Sequence, residues 1–172
     1  MRRLIAALGL SLLLVVGVSG CDDDGCGPGE PCECHGGNDC YLGCEEDGCT
    51  TRCSNMNHCG TVCEDDCSTQ CNSVIECSTS CGDDCNVSCQ DATTCGAICG
   101  DRCRFDCQRM GRCGVRAGEG SVISCDGYSR CDVECTGSCK LDCGTGDECT
   151  LKCLGKAAQT QCPDGALACG GC

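Results

Sequence analysis

Cysteine is the one residue type in this chain whose number and spacing could do chemistry: there are 31 thiols in 172 residues. From Cys59 they fall at Cys63, Cys67 and Cys71, then at Cys77, Cys81, Cys85 and Cys89, then at Cys95, Cys99, Cys103 and Cys107. The pattern is C-x3-C-x3-C-x3-C-x5, with a period of 18. Thiols so placed could ligate a metal, act as redox nucleophiles or close into disulfides. Thiolate clusters favour C-x-C, and structural zinc favours paired C-x2-C. Only Cys32-Glu33-Cys34 offers C-x-C, so neither a metal nor a cofactor is expected. Redox catalysis needs a C-x-x-C with a depressed pKa. Cys169-Gly170-Gly171-Cys172 has that spacing, but at the chain end it reads as a disulfide closing a cap. Disulfides are the remaining chemistry.

Other side chains offer little. His35, in the lead, and His58, in a turn, read as solvated loop residues rather than general bases, so no enzyme is expected. The formal charge of −14 opposes binding to nucleic acid. Asp65, Asp83, Asp101 and Glu119 recur at one position of the repeat. If the repeats stack, they form an acidic column that either binds calcium weakly or discourages edge-to-edge aggregation. Arg102, Arg104, Arg109, Arg112, Arg116 and Arg130 crowd into two or three coils, as a patch for a protein partner or as charge balance.

The elements that hold the cysteines follow from the residues between them. The middle residues are Leu42, Thr51, Thr61, Thr69, Thr79, Val87, Ala97, Phe105, Val115, Ile123, Val133, Leu141 and Leu151. None is charged, whereas their neighbours are mostly polar, as Asn86 and Ser88 beside Val87. Cys-x-φ-x-Cys therefore points three residues inward and two outward, which is the alternation of a strand with one buried face. The intervening EDD, GDD, GDR and GEG are turn compositions. The fold expected is all-β: a two-sheet β-solenoid with an 18-residue coil and a disulfide ladder, with a disulfide-linked β-meander as the alternative.

Within such a coil the facing cysteines should nest. The expected bonds are Cys81–Cys85 inside Cys77–Cys89, Cys63–Cys67 inside Cys59–Cys71, Cys99–Cys103 inside Cys95–Cys107, and Cys135–Cys139 inside Cys131–Cys143. Cys113–Cys125 stands alone, because Ala117 and Ser121 replace the inner pair together. The first unit should give Cys44–Cys49 inside Cys40–Cys53. Cys26, Cys32 and Cys34 then remain at one end, and Cys149, Cys153, Cys162, Cys169 and Cys172 at the other. Both sets are odd, so local pairing strands one thiol at each end, to stay free, to link chains into a multimer, or to pair with the other through a tail that folds back.

Ahead of the repeat, Arg2 and Arg3 precede an apolar run from Leu4 to Val16 and then small residues, as in a secretory signal. Val18-Ser19-Gly20-Cys21 resembles the lipobox of bacterial lipoproteins. The resemblance implies cleavage before Cys21 and lipidation (palmitate included) of its thiol, with the protein exported and held at the cell envelope, in the periplasm or at the cell surface. Loss of Arg2 and Arg3 makes the mature chain two charges more acidic. Lipobox and repeat together resemble the cysteine-rich surface lipoproteins of myxobacteria, which implies a non-enzymatic envelope protein with a membrane anchor as its contact. The organisation expected is a signal over 1–20, a Gly- and Asp-rich lead over 21–39, the repeat over 40–156 and a cap over 157–172. The function expected is a rigid structural or adhesive surface element. The alternative is a ligand- or calcium-binding module using the acidic column or the Arg102–Arg130 cluster.

Overall fold

The computed structural model describes residues 31–172, so the expected signal, Cys21 and Cys26 lie outside the described residues. The described chain is a β-solenoid of about seven turns with no helix. Each turn runs up one side, rounds a wide corner, returns along a second side and passes through a narrow turn to the next. The first coil is β1 (Cys32–His35) and β2 (Asp39–Gly43). The next two are single bent strands, β3 (Thr50–Val62) and β4 (Ser68–Ser80). Then come β5 (Asn86–Gln90) with β6 (Thr94–Ile98), β7 (Arg104–Ala117) and β8 (Ser121–Cys135). The last coil is β9 (Cys139–Cys143) with β10 (Gly146–Cys153).

Neighbouring coils are parallel and in register. Cys53 lies beside Cys71, Cys71 beside Cys89, Cys89 beside Cys107 and Cys107 beside Cys125. A meander would alternate strand direction, so the parallel register establishes the solenoid. All thirteen middle residues are buried, as the alternation requires. In the earlier coils the buried hydroxyls bond along the axis, Thr51 to Thr69 at 2.9 Å and Thr61 to Thr79 at 3.0 Å. In the later coils Phe105, Ile123 and Leu141 stack in one column instead, all fully buried.

The five-residue gap behaves differently from the turn expected. Its second residue, Asn55, Ser73, Asp91, Arg109 or Gly127, is left-handed, with φ between 52° and 63°. That kink breaks the two-residue alternation, and the third residue points inward. Met56, Val74, Ala92, Met110 and Tyr128 are therefore buried as a further column. The corner is tight enough to be bridged. Cys34–Cys40, Cys53–Cys59, Cys71–Cys77, Cys89–Cys95, Cys107–Cys113, Cys125–Cys131 and Cys143–Cys149 each cross it, with Cα separations of 6.1–6.6 Å.

These bonds replace the outer nesting expected from the sequence. Cys40–Cys53, Cys59–Cys71, Cys77–Cys89, Cys95–Cys107, Cys113–Cys125 and Cys131–Cys143 are not formed. The facing columns are as expected, since the sulfurs of Cys77, Cys89 and Cys95 lie within 4.8 Å of one another. The choice of partner differs. Bonding across the corner closes a loop of 6 residues, half that needed for Cys77–Cys89, which lowers the closure cost by about 0.6 kcal/mol. The array also begins earlier than expected, since Cys34 of β1 pairs in register with Cys53.

At the far end the chain folds back. β12 (Leu167–Cys169) pairs antiparallel with β9, and β11 (Gln159–Gln161) with β12. This covers an open sheet edge. Cys153–Cys169 and Cys162–Cys172 hold it, rather than a Cys169–Cys172 bond. With Cys143–Cys149, all five C-terminal cysteines are bonded within the chain, so the stranded C-terminal thiol is absent.

At the narrow turn the acidic column is built into the backbone. The Oδ1 atom of Asp65 accepts the Asp83 amide at 2.7 Å, Asp83 accepts Asp101 at 2.8 Å, and Asp101 accepts Glu119 at 2.7 Å. Each carboxylate occupies the space above the residue that precedes the next acid. A Cβ at Gly100 would sit 2.1 Å from Asp83 Oδ1, and Gly82 and Gly118 are equally restricted. Replacing Gly100 with Ala should displace Asp83, leave the Asp101 amide without its acceptor and cost about 1–3 kcal/mol. Denaturant titration reads the loss. Asp83→Ala in the same chain should leave little further for Gly100→Ala to remove. Separate, additive losses would show that the two do not share this contact.

Candidate functional site

Two groups of side chains could act: the sulfurs that line the narrow turns, and the charges outside. Of the inner bonds expected, only Cys135–Cys139 is formed, with a Cα separation of 6.2 Å. Cys63, Cys67, Cys81, Cys85, Cys99 and Cys103 remain buried thiols, so Cys63–Cys67, Cys81–Cys85 and Cys99–Cys103 are contacts rather than bonds. Cys44 is also a thiol, so Cys44–Cys49 is not closed. Cys49 continues the column, its sulfur 3.2 Å from the Glu46 carbonyl.

The difference between these turns lies in what is stacked on them. Beneath Cys135 and Cys139 stand Ala117 and Ser121, in register and without sulfur. The lower thiols have sulfur neighbours in adjacent coils. The sulfurs of Cys63, Cys67 and Cys85 lie within 4.8 Å of one another. Those of Cys67, Cys85 and Cys103 also lie 3.5–3.6 Å from narrow-turn carbonyls, of Glu64, Gly82 and Gly100. Burial pushes the Cys67 thiol far above its ordinary value, with the Cys63 sulfur adding to it. At Cys63 the contact with Cys81 pulls down, but contact with Cys85 and burial outweigh it and hold the group at about 11. Other members go the opposite way: contacts with Cys103 and Cys81 pull the Cys99 thiol down to about 5, and at Cys85 the Cys103 contact raises but those with Cys63 and Cys81 outweigh it and leave the group lowered.

Spacing along the chain did not show this cluster, because stacking at an interval of 18 creates it. The signal was present in the pair of positions Ala117 and Ser121, which marks where the thiol column ends.

Outside, the six arginines do not form one patch. Arg102 sits at a narrow turn and Arg109 at a wide corner, while Arg104 lies on the first side and Arg112, Arg116 and Arg130 on the second. Only Arg112 and Arg130 stack directly. Arg102 donates to both oxygens of Asp84, at 2.7 and 2.6 Å. Arg109 does the same to Asp91, at 2.8 and 2.9 Å. Arg130 donates to Asp132 at 2.6 Å. Each hydrogen bond holds its carboxyl below the ordinary range. His35 and His58 lie on the exposed surface beside Glu33 and Glu76, at 3.2 and 3.3 Å.

The outer face of the second side carries a shallow groove of about 480 Å³, floored by Ser78, Gly96 and Gly114. Ile98 borders it and is 60% exposed. Tyr41 and Val62 continue the same face toward the first coil. No helix among the described residues is long and apolar enough to cross a membrane.

Fold and lining together define a disulfide-held β-solenoid. No protein-family model, curated protein or solved structure matches the chain.

The paired carboxylates set the acid response. Their folded values lie below the unfolded ones, so their contribution is complete above the unfolded range, about pH 4, and is lost as pH falls through the folded values. Asp84 and Asp91 are exposed and Asp132 is half-buried, so the effect is small and salt-sensitive. In an NMR titration Asp84 and Asp91 should titrate below unpaired surface aspartates, and Arg102→Gln should return Asp84 toward the ordinary value. An unmoved Asp84 would count against the pair.

Proposed function

We propose that this chain is an exported envelope protein, anchored through a lipid on Cys21, that serves as a stiff, protease-resistant rod outside the membrane. The observation that carries the reading is a disulfide at the same corner of every one of the seven coils. Such bonds persist in oxidising compartments outside the cytosol. Each short loop contributes about 2 kcal/mol in the chain-entropy picture, and together they fix a cross-section that has few large side chains to hold it. At about 4.8 Å per coil, the solenoid is a rod about 30 Å long. Its acidic surface stands it away from anionic headgroups.

An adhesive version of this reading rests on the second side, where Tyr41, Val62 and Ile98 stay exposed along one face. The calcium alternative has less support. Asp65, Asp83 and Asp101 each already commit an oxygen to the backbone of the next coil.

The anchor is tested by Cys21→Ser, which should move the protein from the membrane fraction to the soluble fraction with its strand circular dichroism unchanged. Membrane partitioning that survives the substitution would remove the lipid from the proposal. Stiffness is tested separately. Digestion by a broad-specificity protease should leave the solenoid intact without reductant and consume it with reductant. Equal survival in both would show that the sulfur bonds do not hold the rod.

A further inference from the structure

The disulfides of the wide corners account for one sulfur column. The thiols of the narrow turns are a second column, and the rod does not need them as bonds. We propose that Cys63, Cys67, Cys81, Cys85, Cys99 and Cys103 form a binuclear zinc site, each ion tetrahedral and thiolate-ligated, with Cys81 and Cys85 bridging.

The geometry is that of three stacked turns, each offering two sulfurs into one buried space. Cys63, Cys67 and Cys85 have sulfurs within 4.8 Å of one another. The sulfurs of a tetrahedral zinc–thiolate centre stand about 3.8 Å apart, given Zn–S bonds of about 2.3 Å. A contraction of about an ångström therefore closes the set. Cys81 shares its turn with Cys85 and interacts with Cys63 of the turn below and with Cys99 and Cys103 of the turn above, which places it between both sets of four. Cys85 likewise touches Cys63, Cys81 and Cys103. Cys63, Cys67, Cys81 and Cys85 complete one tetrahedron. Cys81, Cys85, Cys99 and Cys103 complete the next, leaving two bridging sulfurs and four terminal ones.

The donor set is sulfur alone, which selects a thiophilic ion over calcium or magnesium. Ala117 and Ser121 close the column above, while below the three turns it continues toward Cys44 and Cys49. Binding exchanges six thiol protons, released to solvent, for two zinc ions, leaving two net negative charges in the cluster. Bound metal would keep these six sulfurs out of disulfide exchange while the corners oxidise. The inference rests on the narrow turns and does not depend on the anchor.

The test is metal content. The full chain, purified anaerobically without reductant and dialysed against zinc, should hold two zinc ions by elemental analysis. Cobalt in place of zinc should show the visible absorption of a tetrahedral thiolate centre. Cys99→Ala with Cys103→Ser copies the pair that this chain already folds around at Ala117 and Ser121. It should lower the content from two ions to one with unchanged circular dichroism. Chelation should remove the metal and leave the strands. A wild-type content short of two ions would overturn the proposal. So would a content that the double variant leaves unchanged, or a peptide map that finds Cys63–Cys67, Cys81–Cys85 and Cys99–Cys103 as disulfides.

Discussion

Everything in this molecule depends on how closely the two sides of a coil approach each other. At the wide corners their Cα atoms stand 6.1–6.6 Å apart, against about 10 Å between ordinary packed sheets. Beside a bridge that short there is little room for large side chains. Threonine, valine and cysteine fill it, and a covalent bond supplies the attraction that apolar area cannot. The scarcity of aromatic residues is therefore a condition of the fold. The larger side chains that do enter, Phe105, Ile123 and Leu141, stack in one column, with Ile123 next to the turn that Ala117 and Ser121 leave without sulfur.

The second constraint is repetition. A parallel solenoid places every residue beside its equivalent in the next coil, so a residue must be compatible with its own copy. Threonine is, because one hydroxyl donates to the next. Aspartate at the narrow turn is, because it accepts a backbone amide in place of meeting a like charge. Where equivalent positions hold opposite charges, as Asp84 below Arg102 and Asp91 below Arg109, the stacking becomes a run of ion pairs. Cysteine is compatible in two ways, bonded within its own coil at the corners and clustered between coils at the narrow turns.

The period, the strand alternation and the thirteen buried middle residues were legible in the sequence because each is a local pattern repeated many times. The corners were less so. Met, Val, Ala, Met and Tyr recur at the centre of the five-residue gap, an apolar signal that turn compositions around it concealed. Bond partners could not be read from spacing, because Cys77 faces both Cys71 and Cys89, and the kink at Ser73 together with the shorter loop it closes decides between them. Cys34 escaped inclusion in the repeat because its interval to Cys53 is 19 rather than 18. The thiol cluster belongs to no single stretch of chain, and so no linear motif announces it.

The narrow-turn ladder has a direction. Each aspartate reaches toward the following coil and each amide toward the preceding one, so a coil presents an acceptor on its upper face and a donor on its lower face. With a glycine left vacant for the carboxylate beneath, the two faces of a unit are complementary to each other rather than to themselves. A duplicated stretch of eighteen residues would thus fit between any two of its neighbours without altering either. The length of such a rod is a quantity that gene duplication can adjust freely, while its cross-section stays fixed.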